Sequence, residues 1–214
     1  MVRVKWWGHA CFEVSNDKTI VFDPHDGSGV GLEAPRAKAD LVLVSHDHFD
    51  HADGAKMVLK PGGDIVRGSG LKTVGDIKIR GVRTDHDDQG GRLRGGNMVY
   101  VVDFGGLRLC HLGDLGHVPT DQQVREIGDV DILFVPVGGV YTIDAQGATK
   151  TVEKISPKIA VPMHYRIKGL TVGISGVEDF LRGKKNVRQM KSSLLEVSPD
   201  DLPSRLEIWV LPWP

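Results

Sequence analysis

The order of elements legible in this sequence predicts a sheet-rich α/β domain with helices outside the sheets, in two related halves. Three observations carry that expectation. Short strand-like runs fill the first half. Two runs, Leu41-Val42-Leu43-Val44 and Ile132-Leu133-Phe134-Val135, are apolar on both faces, as interior strands are. The helical signals fall between strands rather than in a block of their own. A chain of 214 residues fits one domain, residues 1–214, able to bury about 70% of the surface its unfolded form exposes.

Val2-Arg3-Val4-Lys5-Trp6 and Cys11-Phe12-Glu13-Val14 read as strands flanking Gly8-His9, and Thr19-Ile20-Val21-Phe22 runs into a turn at Asp23-Pro24. Gly27, Gly29, Gly31 and Pro35 mark a loop. The strand Leu41 to Val44 delivers the chain to Ser45 and a His/Asp run. After it, Ala52 to Leu59 is expected to form a short helix ended by Pro61 and Gly62. Strands resume at Asp64-Ile65-Val66 and from Ile77 to Arg83, ending near His86. A Gly-rich loop, Gly90 to Gly96, then leads to a hairpin with arms Met98 to Phe104 and Leu107 to Leu112, joined at Gly105-Gly106. Thr120 with Gln123 forms a capping box for a helix through Ile127. Ala148, Val152 and Ile155 share one face of a helix stopped before Pro157. Ile159-Ala160-Val161 leads to Pro162-Met163-His164, and Leu206 to Val210 closes the chain as a strand.

Balanced charge, with 27 basic and 28 acidic side chains, gives no field that favours nucleic acid or an anionic membrane. No apolar run approaches the roughly 20 residues that span a bilayer, and Met1 to Ala10 lacks signal-peptide anatomy. Cys11 and Cys110 both sit in strand-like runs. They are expected to be reduced, packed thiols in a cytoplasmic protein, with a single bridge as the other option. The expected partner is a small-molecule substrate, and homo-oligomerisation is left open.

The chemistry concentrates in His46-x-His48-x-Asp50-His51, directly after a buried strand. Imidazoles at alternate positions of an extended segment point to one side, so His46 and His48 can converge on one metal. A turn after His48 lets Asp50 and His51 address a neighbouring position. A solvated loop rich in His and Asp is the plainer reading, but four such groups within six residues argue against it.

On these residues the chain resembles the metallo-β-lactamase superfamily, whose His-x-His-x-Asp-His signature the run matches. Further positions match its later motifs in order. Asp23 resembles the early Asp that supports the metal loop, and His86 the third His of the first metal. Asp114, in His111-Leu112-Gly113-Asp114, resembles the carboxylate that bridges two metals. His164, in Val161-Pro162-Met163-His164-Tyr165, resembles the last His of the second. The resemblance runs from Gly8-His9 to Tyr165 and beyond. Within the superfamily the chain is most similar to small stand-alone metal-dependent hydrolases, the branch that includes ascorbate-6-phosphate lactonase relatives. Gly8-His9, Pro136-Val137-Gly138-Gly139 and Pro162-Met163-His164-Tyr165 carry that finer match.

The resemblance implies a four-layer αββα sandwich with the site at one edge of the paired sheets. Metal 1 would take His46, His48 and His86, and metal 2 would take Asp50, His51 and His164, with Asp114 between them. Two divalent ions are implied, zinc first, with manganese or iron as alternatives. The implied activity is hydrolysis of a small ester-like substrate, a lactone or phosphodiester, by a hydroxide shared between the metals, with Asp50 as the catalytic residue that orients it. Two other readings stand beside it. A nuclease or nucleotide phosphodiesterase would use the same metals but wants a basic arm that this neutral chain does not show. A non-catalytic metal-binding or ligand-sensing protein would keep the metals without the reaction. Leu115 departs from the family's Thr or Ser after the bridging Asp, removing a hydroxyl support for Asp114. His48 stands where a redox diiron branch carries Glu, which favours hydrolysis.

Other residues carry paired readings. His9 serves as a substrate contact or a structural hydrogen bond, and His117 can reach the cleft or pack beside it. His25 is a weaker case of the same kind, and His111 should face away from Asp114. Tyr165 either donates to a developing oxyanion or caps the core. Arg92 and Arg94 either grip a phosphate or carboxylate or lie on a solvated loop tip. Of Trp6 and Trp7, one belongs to the core and the other could line the cleft. Specificity is expected from the loops 27–35, 87–96 and 141–147.

Overall fold

The computed structural model describes residues 1–213, and among them two β-sheets carry the fold. The first sheet takes β1 (Val2–Trp6), β2 (Phe12–Ser15), β3 (Thr19–Phe22), β4 (Ala39–Leu43) and β5 (Leu59–Val66). The second takes β6 (Gly70–Val74), β7 (Ile77–Asp85), β8 (Gly96–Phe104), β9 (Leu107–His111), β10 (Ile132–Pro136) and β11 (Ile159–Met163). The C-terminal strands β12 (Val187–Gln189), β13 (Leu194–Val197) and β14 (Glu207–Val210) are divided between them. The strand orders are β13-β1-β2-β3-β4-β5 and β12-β14-β11-β10-β9-β8-β7-β6.

The sheets pack through their inner faces. Trp6, Phe12 and Phe22 of the first meet Tyr100, Leu109 and Phe134 of the second in one buried cluster. Each such side chain contributes roughly 1.5–3 kcal/mol by leaving water. The run read as an interior strand at Ile132 is β10, buried at every position, and it pairs in parallel with β9 and β11. A second cluster lies on the outer face of the first sheet, where Ala55 and Val58 cover Val21, Val42 and Val44. The helical layers are thin. α1 (Phe49–Ala52) and α2 (Ala55–Val58) flank the first sheet, while α3 (Asp121–Ile127), α4 (Ala145–Ile155) and α5 (Glu178–Leu181) flank the second. Thr120 and Gln123 form the expected capping box, and Ser156 ends α4 in the left-handed conformation just before Pro157.

Several sequence expectations change. The helix expected from Ala52 to Leu59 is two single turns, because the Gly54 N–H is held by the Pro24 carbonyl at 2.9 Å and any side chain there would strike His25. Pro61 and Gly62 do not end it; they lie inside β5, whose register against β4 shifts at that end. Strands β6, β12 and β13 went unread, since they are short or largely solvent-facing. The two halves also exchange material, because β13 returns to pair with β1, Val2 opposite Val197. Cys11 and Cys110 are free, buried and placed in different apolar clusters, which closes the bridge option. Among the described residues no helix is long and apolar enough to cross a membrane.

Candidate metal centre

Strand direction gathers the site. β3 and β4 run parallel, as do β9, β10 and β11, and β7 shares the direction of β9 because both are antiparallel to β8. Asp23 follows β3, His46 follows β4, His86 follows β7, Asp114 lies beyond β9 and His164 follows β11. All these groups therefore leave C-terminal strand ends at one edge of the sandwich, where open α/β sheets place their ligands. The two sheets are tied at this edge by Met98 N–H donating to the Ser45 carbonyl at 3.0 Å and His164 N–H donating to the His9 carbonyl at 3.1 Å.

Asp114 divides the donors. Its Oδ2 lies 3.2 Å from His86 Nε2 and 3.8 Å from His46 Nε2. Its Oδ1 lies 3.1 Å from His51 Nε2 and 3.3 Å from His164 Nε2. On the Oδ2 side, His46 Nε2 and His48 Nδ1 converge at 3.0 Å. Donor atoms of His46, His48 and His86 all lie within 4.8 Å of one another, as do those of His9, Asp50, His51 and His164. His46, His51 and Asp114 form a third such group that joins the two. His51 Nε2 and Asp114 Oδ1 are buried and near each other, yet neither completes a hydrogen bond. An unsatisfied buried polar atom costs about 1–3 kcal/mol, and divalent ions suited to His and carboxylate donors would remove that cost. The donor set fits a metal.

The groups behind the donors fix their orientation. Asp23 Oδ1 accepts the Ser45 N–H at 2.7 Å, and its Oδ2 accepts the Ser45 hydroxyl at 2.6 Å and pairs with His51 Nδ1 at 2.8 Å. Ser45 Oγ in turn meets His46 Nδ1 at 2.9 Å. One carboxylate thus braces His51 directly and His46 through a serine. Asp114 gains its support from Asn97, whose Oδ1 accepts the Asp114 N–H at 2.9 Å while Nδ2 donates to Thr84 Oγ1 and the Leu112 carbonyl. Gly113, at φ 55°, permits that approach, since a side chain there would collide with Asn97 and Ser45. Leu115 is buried in the core and offers no hydroxyl to Asp114, whose backbone rather than carboxylate is what Asn97 holds. His9, Asp23 and His164 hold φ of 51°, 43° and 50°, strain of order 1–3 kcal/mol each that the packed edge sustains.

Electrostatics separate the titrating groups. Burial alone would raise the Asp114 carboxyl, but His164 and His51 hold it well below the usual carboxylate range. Asp50 is likewise opposed by burial and held low by His51 and by its bond to His9. Burial would lower His51, but Asp114, Asp23 and Asp50 push it well above its ordinary value. Burial, reinforced by the neighbouring His164, drops His9 to about 3, so its ring is neutral and donates Nε2–H to Asp50 Oδ2 at 2.9 Å. Burial brings His46 to about 3 as well.

The structure brings all seven sequence-identified donors together, with Asp23 behind them, and seats His9 against Asp50 and His164. A cleft of about 480 Å³ opens over them, walled by Phe49, Arg94, Tyr141 and Val172. Three residues with paired readings take the one away from substrate. Tyr165 packs on Trp6, ring centroids 5.3 Å apart, in the core. Both ring nitrogens of His117 engage backbone, at Asp85 N–H and the Val118 carbonyl. Arg92 is exposed and folds back on Gln89. His111 is a packed residue, stacked on Phe22 and bonded to the Ala10 carbonyl, and His25 is buried against the Trp7 carbonyl. Trp7 packs on the outer face of the first sheet rather than in the cleft. Sequence reasoning missed Asn97, Phe49 and the segment 171–173. Asn97 has no local signal; only its register opposite Thr84 brings it to Asp114.

Fold and site together define a two-sheet α/β protein with a buried His/Asp metal-binding cluster at one sheet edge. Comparison with known proteins identifies the family. The β-lactamase superfamily domain matches residues 3–164. A UPF0173 metal-dependent hydrolase of Thermoplasma acidophilum is 32% identical over 187 residues, covering 77% of this chain and 83% of that protein. The crystal structure of a metallo-β-lactamase superfamily protein of Thermotoga maritima, described as a candidate zinc-dependent hydrolase, is 35% identical. It covers 99% of this chain and 98% of its own, with TM-score 0.81. A candidate metal-dependent hydrolase from Parabacteroides distasonis, 21% identical, covers 98% of this chain and 92% of its own at TM-score 0.70 and shares the fold. The chain belongs to the metallo-β-lactamase superfamily, with metal-dependent hydrolases as its homologues.

Proposed function

We propose that this chain is a binuclear metal-dependent hydrolase of a small ester-like substrate, a lactone or a phosphodiester, related to the small stand-alone lactonase-like branch. The observation that carries the reading is the division of Asp114, whose two oxygens each face a separate set of His donors, with buried donor atoms left unpaired between them. His46, His48 and His86 would hold one divalent ion and Asp50, His51 and His164 the other, with Asp114 shared; zinc suits the His-dominated set, and manganese or iron also fits. Such ions supply Lewis acidity and bring the pKa of water toward about 7.

The chain's own residues do the rest. Asp50 stays ionised and is pinned through Oδ2 by His9, so its carboxylate orients a water molecule at the cleft floor by accepting its proton in a hydrogen bond. Neutral His9 fixes that carboxylate without adding charge. Phe49, Tyr141 and Val172 wall the cleft with apolar surface, which strengthens the electrostatics inside it. Hydrolysis then adds water across the ester bond, leaving an acid and an alcohol.

Elemental analysis of untagged protein, with a panel of lactones and phosphodiesters, tests this. The expected result is about two metals per chain and a turnover abolished in Asp50→Ala. Protein that takes up no metal under replete conditions would refute the reading.

A further inference from the structure

Building on the hydrolase reading, we propose that Arg94 binds an anionic group of the substrate, making the substrate a small ester or lactone that also carries a carboxylate or phosphate. The donors form the floor of the cleft, and apolar side chains form much of its wall. Arg94 is the one Lys or Arg among the described residues that line it. Arg92, two residues earlier, is exposed and bonded within its own loop. Arg94 is half-buried. Its Nη2 donates to the Val140 carbonyl at 3.2 Å, and its guanidinium lies 5.5 Å from the Tyr141 ring centroid. No carboxylate among the described residues forms an ion pair with it, unlike Arg3, Arg36, Arg67, Arg108 and Arg182. A guanidinium carries five N–H donors, so one bond to Val140 leaves a fork available for a planar or tetrahedral anion.

The arginine is held in place by a built loop. The Asp87 carboxylate accepts four backbone N–H groups, from Gln89 at 2.8 Å and from Gly91, Leu93 and Arg94 at 2.9 Å each. That frame begins directly after His86 and ends on Arg94, so one loop carries a metal-donor candidate at its start and the arginine at its end. On the facing loop, Val140 adopts φ 64°, a conformation costly for a β-branched residue, at the carbonyl that receives Arg94. The cleft therefore presents metal donors, a cation and, beside that cation, an aromatic ring, which suits a substrate with a scissile ester at one end and an anion at the other.

The test compares zinc-loaded wild type, Arg94→Met and Arg94→Lys on matched p-nitrophenyl esters ending in a neutral, a carboxylate or a phosphate tail. Wild type should prefer an anionic tail by about tenfold or more in kcat/KM, chiefly through KM. The identity of the preferred tail separates carboxylate from phosphate. Arg94→Met should reduce that preference to about twofold or less, and Arg94→Lys should restore part of it. A preference unchanged in Arg94→Met, or absent from wild type, overturns the proposal while leaving the hydrolase reading intact. Calorimetric binding of the dicarboxylates succinate to adipate, with butyrate as the control, decides the matter without turnover. At least one dicarboxylate should bind wild type about tenfold more tightly than Arg94→Met, and equal affinity throughout overturns the assignment. Absence of ester turnover with intact dicarboxylate discrimination would instead count against the hydrolase reading alone.

Discussion

His48 and His51 stand three residues apart in one run, and the fold treats them in opposite ways. His51 is fully buried, paired through Nδ1 with Asp23 and packed beside His46 and His164. Its companions Asp50 and His164 are also buried, and His9 seals them from behind. His48 is exposed, and its Nδ1 meets His46 Nε2 at 3.0 Å. The turn at α1 makes this difference: His48 precedes the helix in extended conformation, whereas Asp50 and His51 lie inside it and are folded toward the core. Two donor sets of similar chemistry therefore differ in enclosure, the difference lying at the exposed His48. Enclosure governs exchange, and bracing governs affinity.

Breaking the partition itself should have the largest effect. Asp114→Ala removes the group common to both sets and should lower bound metal from about two ions per chain to about one or fewer, with loss of turnover, read by elemental analysis and kinetics. Removing bracing on the enclosed side alone comes next. His9→Ala frees the Asp50 carboxylate and should weaken the tighter metal by about 10- to 100-fold while sparing the other, read by competition with a chelator. In untouched protein, timed chelation should remove one ion first, and spectroscopy of a cobalt-substituted form should place that ion with His46, His48 and His86. Simultaneous loss of both ions would show that the difference in burial has no kinetic consequence.

A smaller effect belongs to the loop that carries His86. Burial raises the Asp87 carboxyl, but four backbone bonds outweigh it and hold the pKa to about 2, against an ordinary value of 3.8. A carboxylate lowered on folding stabilises the folded form above its unfolded pKa and loses that contribution as pH falls. The loop 87–96 should therefore loosen between pH 3.8 and about 2, seen as faster amide exchange. Asp87→Asn should remove this pH dependence and show the faster exchange at neutral pH. Smallest of all, Arg92→Ala should change turnover by less than about twofold, because surface side chains away from a site act weakly.

How much was legible beforehand follows from sequence distance. The donors of His46 to His51 lie within six residues, so alternation and one turn were enough to group them. The hairpin at Gly105-Gly106 and the capping box at Thr120 were equally local and form where expected. Asn97 was not legible, because its support of Asp114 spans 17 residues and depends on the register of β8. Of the two readings of Tyr165 the core one holds, because consecutive residues at that turn diverge, His164 to the His/Asp cluster and Tyr165 to Trp6.

The sequence by itself determined the donor run from His46 to His51 and which runs must be buried, because donor chemistry and strand alternation are local properties, whereas His86, Asp114 and His164 rest on the family resemblance. Only the tertiary structure decided that Asn97 supports Asp114, that His9 faces Asp50, and that Arg94 rather than Arg92 reaches the cleft. Those outcomes depend on strand order, register and the direction in which each loop leaves its sheet, and these are set by packing between residues far apart in the chain.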